Sequence, residues 1–166
     1  MIRAGLPLAL AAVLALSGCG LQPLYGGGSR GAVASTLAGV RVGAIEGQAG
    51  WLVRTAIEDR LPKGAPVRYR LDIRLDDRIE GFGIRADNAV TRERRTLRAR
   101  YQLVDAALGT VVLDQTAGSD IGIDVVGSQY ATVAAEQTAL ERLSTEIADQ
   151  IVTRVALYAA RTRAAR

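Results

Sequence analysis

The sequence predicts an α+β domain: a two-layer sandwich of about four mostly antiparallel strands with two helices packed on one face. Three observations predict it. Residues 68–76 and 97–103 alternate strictly between apolar and polar side chains, the period of a strand with one buried face. Leu140, Leu143, Ile147, Ile151, Val155 and Tyr158 recur at helical spacing over a long C-terminal segment. The order strand, helix, three strands, helix then allows a single sheet covered on one side.

The elements follow in order. Val40, Val42 and Ala44 alternate with Arg41 and Gly43 in a short first strand. A helix is predicted from about Gly50 to Leu61, with Leu52, Val53, Ala56, Ile57 and Leu61 as its apolar stripe and Pro62 and Gly64 ending it. In the second strand Tyr69, Leu71, Ile73 and Leu75 point inward. Arg68, Arg70, Asp72, Arg74 and Asp76 point outward. Gly81-Phe82-Gly83 through Asn88 is predicted to be a loop. The third strand turns Leu97, Ala99, Tyr101 and Leu103 inward and Arg92, Arg94, Arg98 and Arg100 outward. Asp105 to Gly109 is a turn. A fourth strand starts near Thr110 with Val111 and Leu113 on the core face, and Ile121, Ile123 and Val125 either extend it or edge the sheet. The last helix is predicted from about Tyr130 to Ala160.

Composition narrows the chemistry. There is no histidine and one cysteine, which removes the usual zinc ligands, histidine- or thiol-based catalysis and any disulfide within the chain. The formal net charge is +4, and Lys63 is the only lysine, so the excess is arginine. Arginine forks paired N–H donors onto carboxylates and phosphates. No signal for a nucleic-acid partner, a metal or a dissociable cofactor is present. Gly81-Phe82-Gly83 lacks the third glycine and following helix of a dinucleotide site.

The first residues read as an address. Met1-Ile2-Arg3 is a short basic start, and Leu6 to Leu16 is an apolar run too short for a stable transmembrane helix. Leu16-Ser17-Gly18-Cys19 matches the bacterial lipobox. It implies cleavage before Cys19, a diacylglycerol on the Cys19 thiol and an acyl chain on the new amine. Gly20, rather than aspartate, follows the cysteine and favours the outer membrane. The domain layout is therefore a signal peptide over 1–18, a lipidated N-terminus and flexible Gly/Ser/Ala-rich tether over 19–38, and a single α+β domain over 39–166.

The run Cys19-Gly20-Leu21-Gln22-Pro23-Leu24-Tyr25-Gly26 resembles the start of the alphaproteobacterial branch of the lipopolysaccharide-assembly lipoprotein family, LptE. The strand, early helix, β-meander and long alanine-rich C-terminal helix are similar to that family's layout. The resemblance implies a lipid-anchored protein facing the periplasm from the outer membrane. It implies insertion as a plug into the β-barrel translocon LptD, help in assembling that barrel, binding of lipopolysaccharide, and no catalysis. The competing reading is an auxiliary periplasmic lipoprotein of another envelope lipid transporter.

The residues themselves offer one candidate surface. Arg68, Arg70, Arg74, Arg92, Arg94, Arg98 and Arg100 share an outward face with Asp72 and Asp76. Such a row either meets phosphates and acidic sugars of lipopolysaccharide, meets the barrel, or is simply solvated. One register would place Asp72 opposite Arg98 and Asp76 opposite Arg94, giving cross-strand ion pairs. Phe82 and Ile84 either form an apolar loop tip for acyl chains or a barrel wall, or fold back on the core.

Overall fold

The computed structural model describes residues 31–84, 90–125 and 127–164. The leader with Leu16, Ser17 and Gly18, Cys19, the motif through Tyr25 and the chain to residue 30 lie outside the described residues. So do residues 85–89 of the expected loop. The chain runs α1 (Ala32–Ala38), β1 (Val40–Val42), α2 (Gly47–Glu58), β2 (Tyr69–Ile84), β3 (Val90–Asp105), β4 (Val111–Asp124) and α3 (Gln129–Ala164). The four strands form one sheet in the order β1-β2-β3-β4. β1 pairs with β2 in parallel, and the other neighbours are antiparallel. A helical crossover, here α2, is what a parallel neighbour requires, whereas β2, β3 and β4 need only short connections. The α+β class and the mostly antiparallel sheet are as the sequence predicts. The helices number three among the described residues, one more than predicted.

The core lies between the inward face of the sheet and the helices. Leu97, Ala99, Tyr101 and Leu103 of β3 are fully buried, as are Leu143, Ile147 and Ile151 of α3. Ala148, Ala156 and Ala159 are buried along the same helix, and these small residues let it approach the sheet closely. Each fully buried leucine or isoleucine contributes about 1.5–3 kcal/mol, so this stripe dominates the packing of the domain. Tyr69 and Tyr158 close one end of the core edge to face, with ring centroids 6.3 Å apart.

Four local expectations are corrected. Residues 32–38 are not the end of a flexible tether. They form α1, and Leu37 is buried with Val33 and Ala34. The glycine-rich composition stops at Gly31, and the spacing of Val33, Ala34 and Leu37 makes one apolar helix face. Next, α2 starts and ends about one turn earlier than predicted, at Gly47 and Glu58. Gly50 lies inside it, where a Cβ would sit 2.6 Å from the Ile45 carbonyl oxygen, so the position takes glycine.

The expected loop at Gly81-Phe82-Gly83 is strand. β2 continues to Ile84, with Phe82 opposite Arg92, because ladder hydrogen bonds need no side chain. Gly83 takes φ +75, and its carbonyl accepts the Thr91 hydroxyl. Finally, Val111 is half exposed rather than on the core face. A register shift at Leu103/Val104 turns it outward, while Val112 and Leu113 pack against the core. β4 runs unbroken through Ile121 and Ile123, the second of which is buried.

β4 is an edge strand, and α3 protects it. The Gln150 side chain accepts the Gly118 N–H at 3.3 Å and donates to the Gly118 carbonyl at 3.2 Å. One amide thus occupies the N–H and C=O of Gly118, two of the groups that a further strand would pair with.

If α1 belongs to the core, Leu37→Ala lowers unfolding free energy by about 2–5 kcal/mol in chemical denaturation. A residue in a loose tether would change it by no more than about 0.5 kcal/mol.

Candidate functional site

The helices occupy one face of the sheet, so strand alternation delivers the polar side chains to the other. Arg41 of β1 is exposed there, beside Arg70 in the parallel register. Arg70, Asp72, Arg74, Asp76, Arg78, Glu80 and Phe82 come from β2. Arg92, Arg94, Arg98 and Arg100 come from β3. Six of the seven predicted arginines are therefore brought together. Arg68 is set apart. It precedes β2, and its guanidinium lies 5.6 Å from the Tyr69 ring centroid at the end of the domain.

The register differs from the one that would pair Asp72 with Arg98 and Asp76 with Arg94. Asp72 faces Gln102, Asp76 faces Arg98, Arg74 faces Arg100, and Glu80 faces Arg94. The hairpin is longer than the early-loop reading allows, which moves every partner. Asp72 and Asp76 instead pair along their own strand, with Arg70 and Arg78, each at 2.9 Å.

Most of the compensation comes from β4. Asp114 accepts from Arg100 at 3.0 Å, Asp124 from Arg92 at 2.9 Å, and Asp120 lies 3.5 Å from Arg94. These aspartates were not among the candidates. Asp114, Asp120 and Asp124 fall on alternate positions of one strand, and that period was readable once Gly118 to Asp124 is taken as strand. Gln102 also donates to Asp114 at 2.8 Å. The hydrogen bond from Arg100, then that from Gln102, holds the Asp114 carboxyl below its ordinary value. The Asp114 hydrogen bond raises Arg100 in turn.

Among the described residues, Arg41, Arg74 and Arg98 make no salt bridge on this face. Arg74 lies directly opposite Arg100, and Arg98 stands two residues before Arg100 on β3, opposite Asp76; of these three arginines only Arg100 holds a carboxylate in a salt bridge. Beside them a shallow depression of about 400 Å³ is lined by Gly43, Asp72, Arg74, Arg100 and Gln102. Gly118, opposite Arg98 on β4, carries no side chain, and a Cβ there would meet Arg98 Cγ at 3.5 Å. This patch can accept several phosphate or carboxylate oxygens at once.

Phe82 sits on the same face, not on a loop tip or in the core. The Arg94 guanidinium stands 5.4 Å from its ring centroid, a cation–π contact. One arginine missed in the sequence points the other way. Arg95 lies on the helix side, largely buried, where it binds Asp77 at 2.6 Å and donates to the Glu136 carbonyl of α3 at 2.9 Å. It fastens the start of α3 to the sheet and takes no part in the outward patch. Among the described residues no group of three or more His, Cys, Asp or Glu is placed to hold a metal ion. No helix among them is long and apolar enough to cross a membrane.

The family model LptE, described as lipopolysaccharide-assembly, matches residues 37–155. No curated protein matches the chain by sequence. Among solved structures, a Caulobacter crescentus CB15 protein described as a lipoprotein is 26% identical. It superposes with a TM-score of 0.64, covering 80% of this chain and 98% of that one. The rare lipoprotein B of Shewanella oneidensis has a TM-score of 0.59 at 8% identity, covering 75% and 98%. A minor lipoprotein of Acinetobacter baumannii has a TM-score of 0.57 at 12% identity, covering 72% and 92%. The last two establish likeness of fold alone.

The Asp114 pairing has a pH signature. Its carboxyl is depressed in the folded chain, so its contribution to stability is present above the ordinary aspartate value of about 3.9 and is lost as pH falls through the folded value. In a carboxyl-carbon NMR titration, the Asp114 midpoint should lie below the ordinary aspartate value. Arg100→Gln should move it up; an unchanged midpoint would contradict the pairing.

Proposed function

This chain belongs to the LptE lipopolysaccharide-assembly family, and from that premise we propose that it works with an LptD-like outer-membrane β-barrel, as its plug and lipopolysaccharide-binding component. The observation that carries this reading is the family match, which spans nearly the whole described domain. The family's role in lipopolysaccharide assembly is non-catalytic, and binding is the chemistry the outward face suits. We place the lipid anchor on Cys19, within Leu16-Ser17-Gly18-Cys19. Several acyl chains there would hold the protein firmly at the membrane, since each buried methylene contributes about 0.8 kcal/mol.

The outward face is the surface we assign to lipopolysaccharide. Its phosphates and acidic sugars are multiply charged and spaced along the headgroup. A rigid sheet presenting Arg74, Arg98 and Arg100 can meet them without first ordering long side chains on a loop. Arg70, Arg92, Arg94 and Arg100 already hold aspartates, so their pairs must open or share before they contact a ligand. Arg74 and Arg98 are therefore the first contacts. Phe82, half exposed beneath Arg94, offers a neighbouring apolar surface for an acyl chain.

Two measurements test this. Purification of the chain from its native membrane should bring down an outer-membrane β-barrel in stoichiometric amount; an inner-membrane transporter in its place would overturn the proposal. In lipopolysaccharide titrations at low salt, where screening of exposed charges is least, Arg74→Ser with Arg98→Ser should weaken binding about 5- to 30-fold, at about 0.5–1 kcal/mol for each exposed contact. Unchanged affinity would remove the face from the binding site.

A further inference from the structure

We propose that the pole of the domain nearest Gly31 rests on an anionic phospholipid surface, with Leu108 and Val67 as its apolar contacts and Lys63, Arg68 and Arg161 around them. The inference rests on the anchored reading of Cys19 and gives the anchored chain an orientation at the membrane before it enters its barrel.

The observation behind it is a turn of the wrong polarity for water. The β3–β4 connection is tightly built. The Asp105 carboxylate accepts the N–H groups of Ala107 and Leu108 at 2.9 and 3.0 Å. Gly109 takes φ +67, and its N–H returns to the Asp105 carbonyl at 2.8 Å. What this rigid turn presents is Leu108, 75% exposed. Turn tips in water ordinarily carry polar residues.

A second loop is bonded to the first. The Ala106 N–H donates to the Arg68 carbonyl at 3.0 Å, so Val67 and Arg68 move as one unit with the turn. Val67 is 44% exposed, and Val111 just past the turn is 50% exposed. Between the two loops and α1 lies an open depression of about 650 Å³.

Charge and chain position select the occupant. Arg161 follows Tyr158, whose ring meets Tyr69 at this end, so the last turns of α3 bring a cation to the pole. Lys63 is exposed on the loop after α2. Of the nearby carboxylates, Glu58 is paired with Arg54 and Asp105 is spent on the turn, leaving Asp59. Cations ringing exposed aliphatic side chains match an anionic lipid surface, where the stems reach the acyl boundary and the charges the headgroups.

The anchor position agrees. Gly31 begins α1, which lines this depression through Ser35 and Thr36. Cys19 precedes Gly31 by twelve residues, a reach of about 40 Å at full extension. β2 alone, sixteen residues long, spans about 50 Å toward the far end. The anchor therefore delivers this pole, not the β2–β3 hairpin, to the surface.

The test uses the purified acylated chain with one fluorophore, attached through Ala107→Cys beside Leu108 or through Glu80→Cys at the far end, both exposed. It is reconstituted in phosphatidylethanolamine vesicles containing phosphatidylglycerol and a lipid-borne nitroxide. The expected result is at least twofold quenching at position 107 and none at position 80, with loss of most of that quenching when phosphatidylglycerol is left out. Equal emission at the two positions overturns the proposal, as does quenching at 107 that appears only with a copurified barrel. Should mass spectrometry find no acyl chain on Cys19, the anchoring reading has failed. The chain with Cys19→Ser is then held by an N-terminal hexahistidine on nickel-chelating lipid, and the comparison of positions 107 and 80 still decides the docking.

Discussion

Burial of the α3 stripe against β3 organises everything else in this domain. Leu140, Leu143, Ile147, Ile151 and Val155 meet Leu97, Ala99, Tyr101 and Leu103, and the small alanines between them bring helix and sheet together. A strand has a period of two. Once one set of side chains is committed to the helix, the other set has nowhere to go but the opposite face. The arginine face is thus a consequence of core packing and not a separate feature. A one-residue slip of β3 would bury four guanidiniums and expose the core, which is why the register is tightly held.

What that face can do depends on how its charges balance. A sheet surface with strict alternation of cations and aspartates would be neutral at close range and would have little to offer a ligand. Here the aspartates of β4 neutralise the β3 arginines nearest to them, and those of β2 turn to neighbours on their own strand. The residual charge gathers between β2 and β3 at Arg74 and Arg98. Surface ion pairs of this kind add little stability. Their effect is to hold the guanidiniums of Arg70, Arg92, Arg94 and Arg100 on aspartates and to leave those of Arg74 and Arg98 unpaired beside them.

Much of this was legible in the sequence, for a physical reason. Alternation in β2 and β3 and helical spacing in α3 are long, regular signals, and the inward residues of both strands stand where the pattern puts them. Errors fall where composition was read in place of spacing. The glycine-rich approach to residue 31 hid α1, whose three apolar positions are too few to register as a periodicity. Gly81 and Gly83 suggested a loop, although a paired strand tolerates glycine when its neighbour supplies the ladder. That shortened hairpin shifted the register and concealed the partners of every outward charge. Arg95 escaped notice because a buried arginine on the core side breaks the alternation, and only the Glu136 carbonyl and Asp77 explain it.

The domain therefore presents distinct chemistry in different directions: packed helices on one side, ordered arginines on the other, and aliphatic turns with cations at the pole nearest Gly31. The central claim is that the arginine side, and not the helix side, meets lipopolysaccharide. In-cell photo-crosslinking tests it most directly, with a photoreactive phenylalanine placed at Thr116 on the outward face or at Thr153, exposed on α3. The account predicts lipopolysaccharide adducts from position 116 and none from position 153. Adducts from position 153 alone would contradict it.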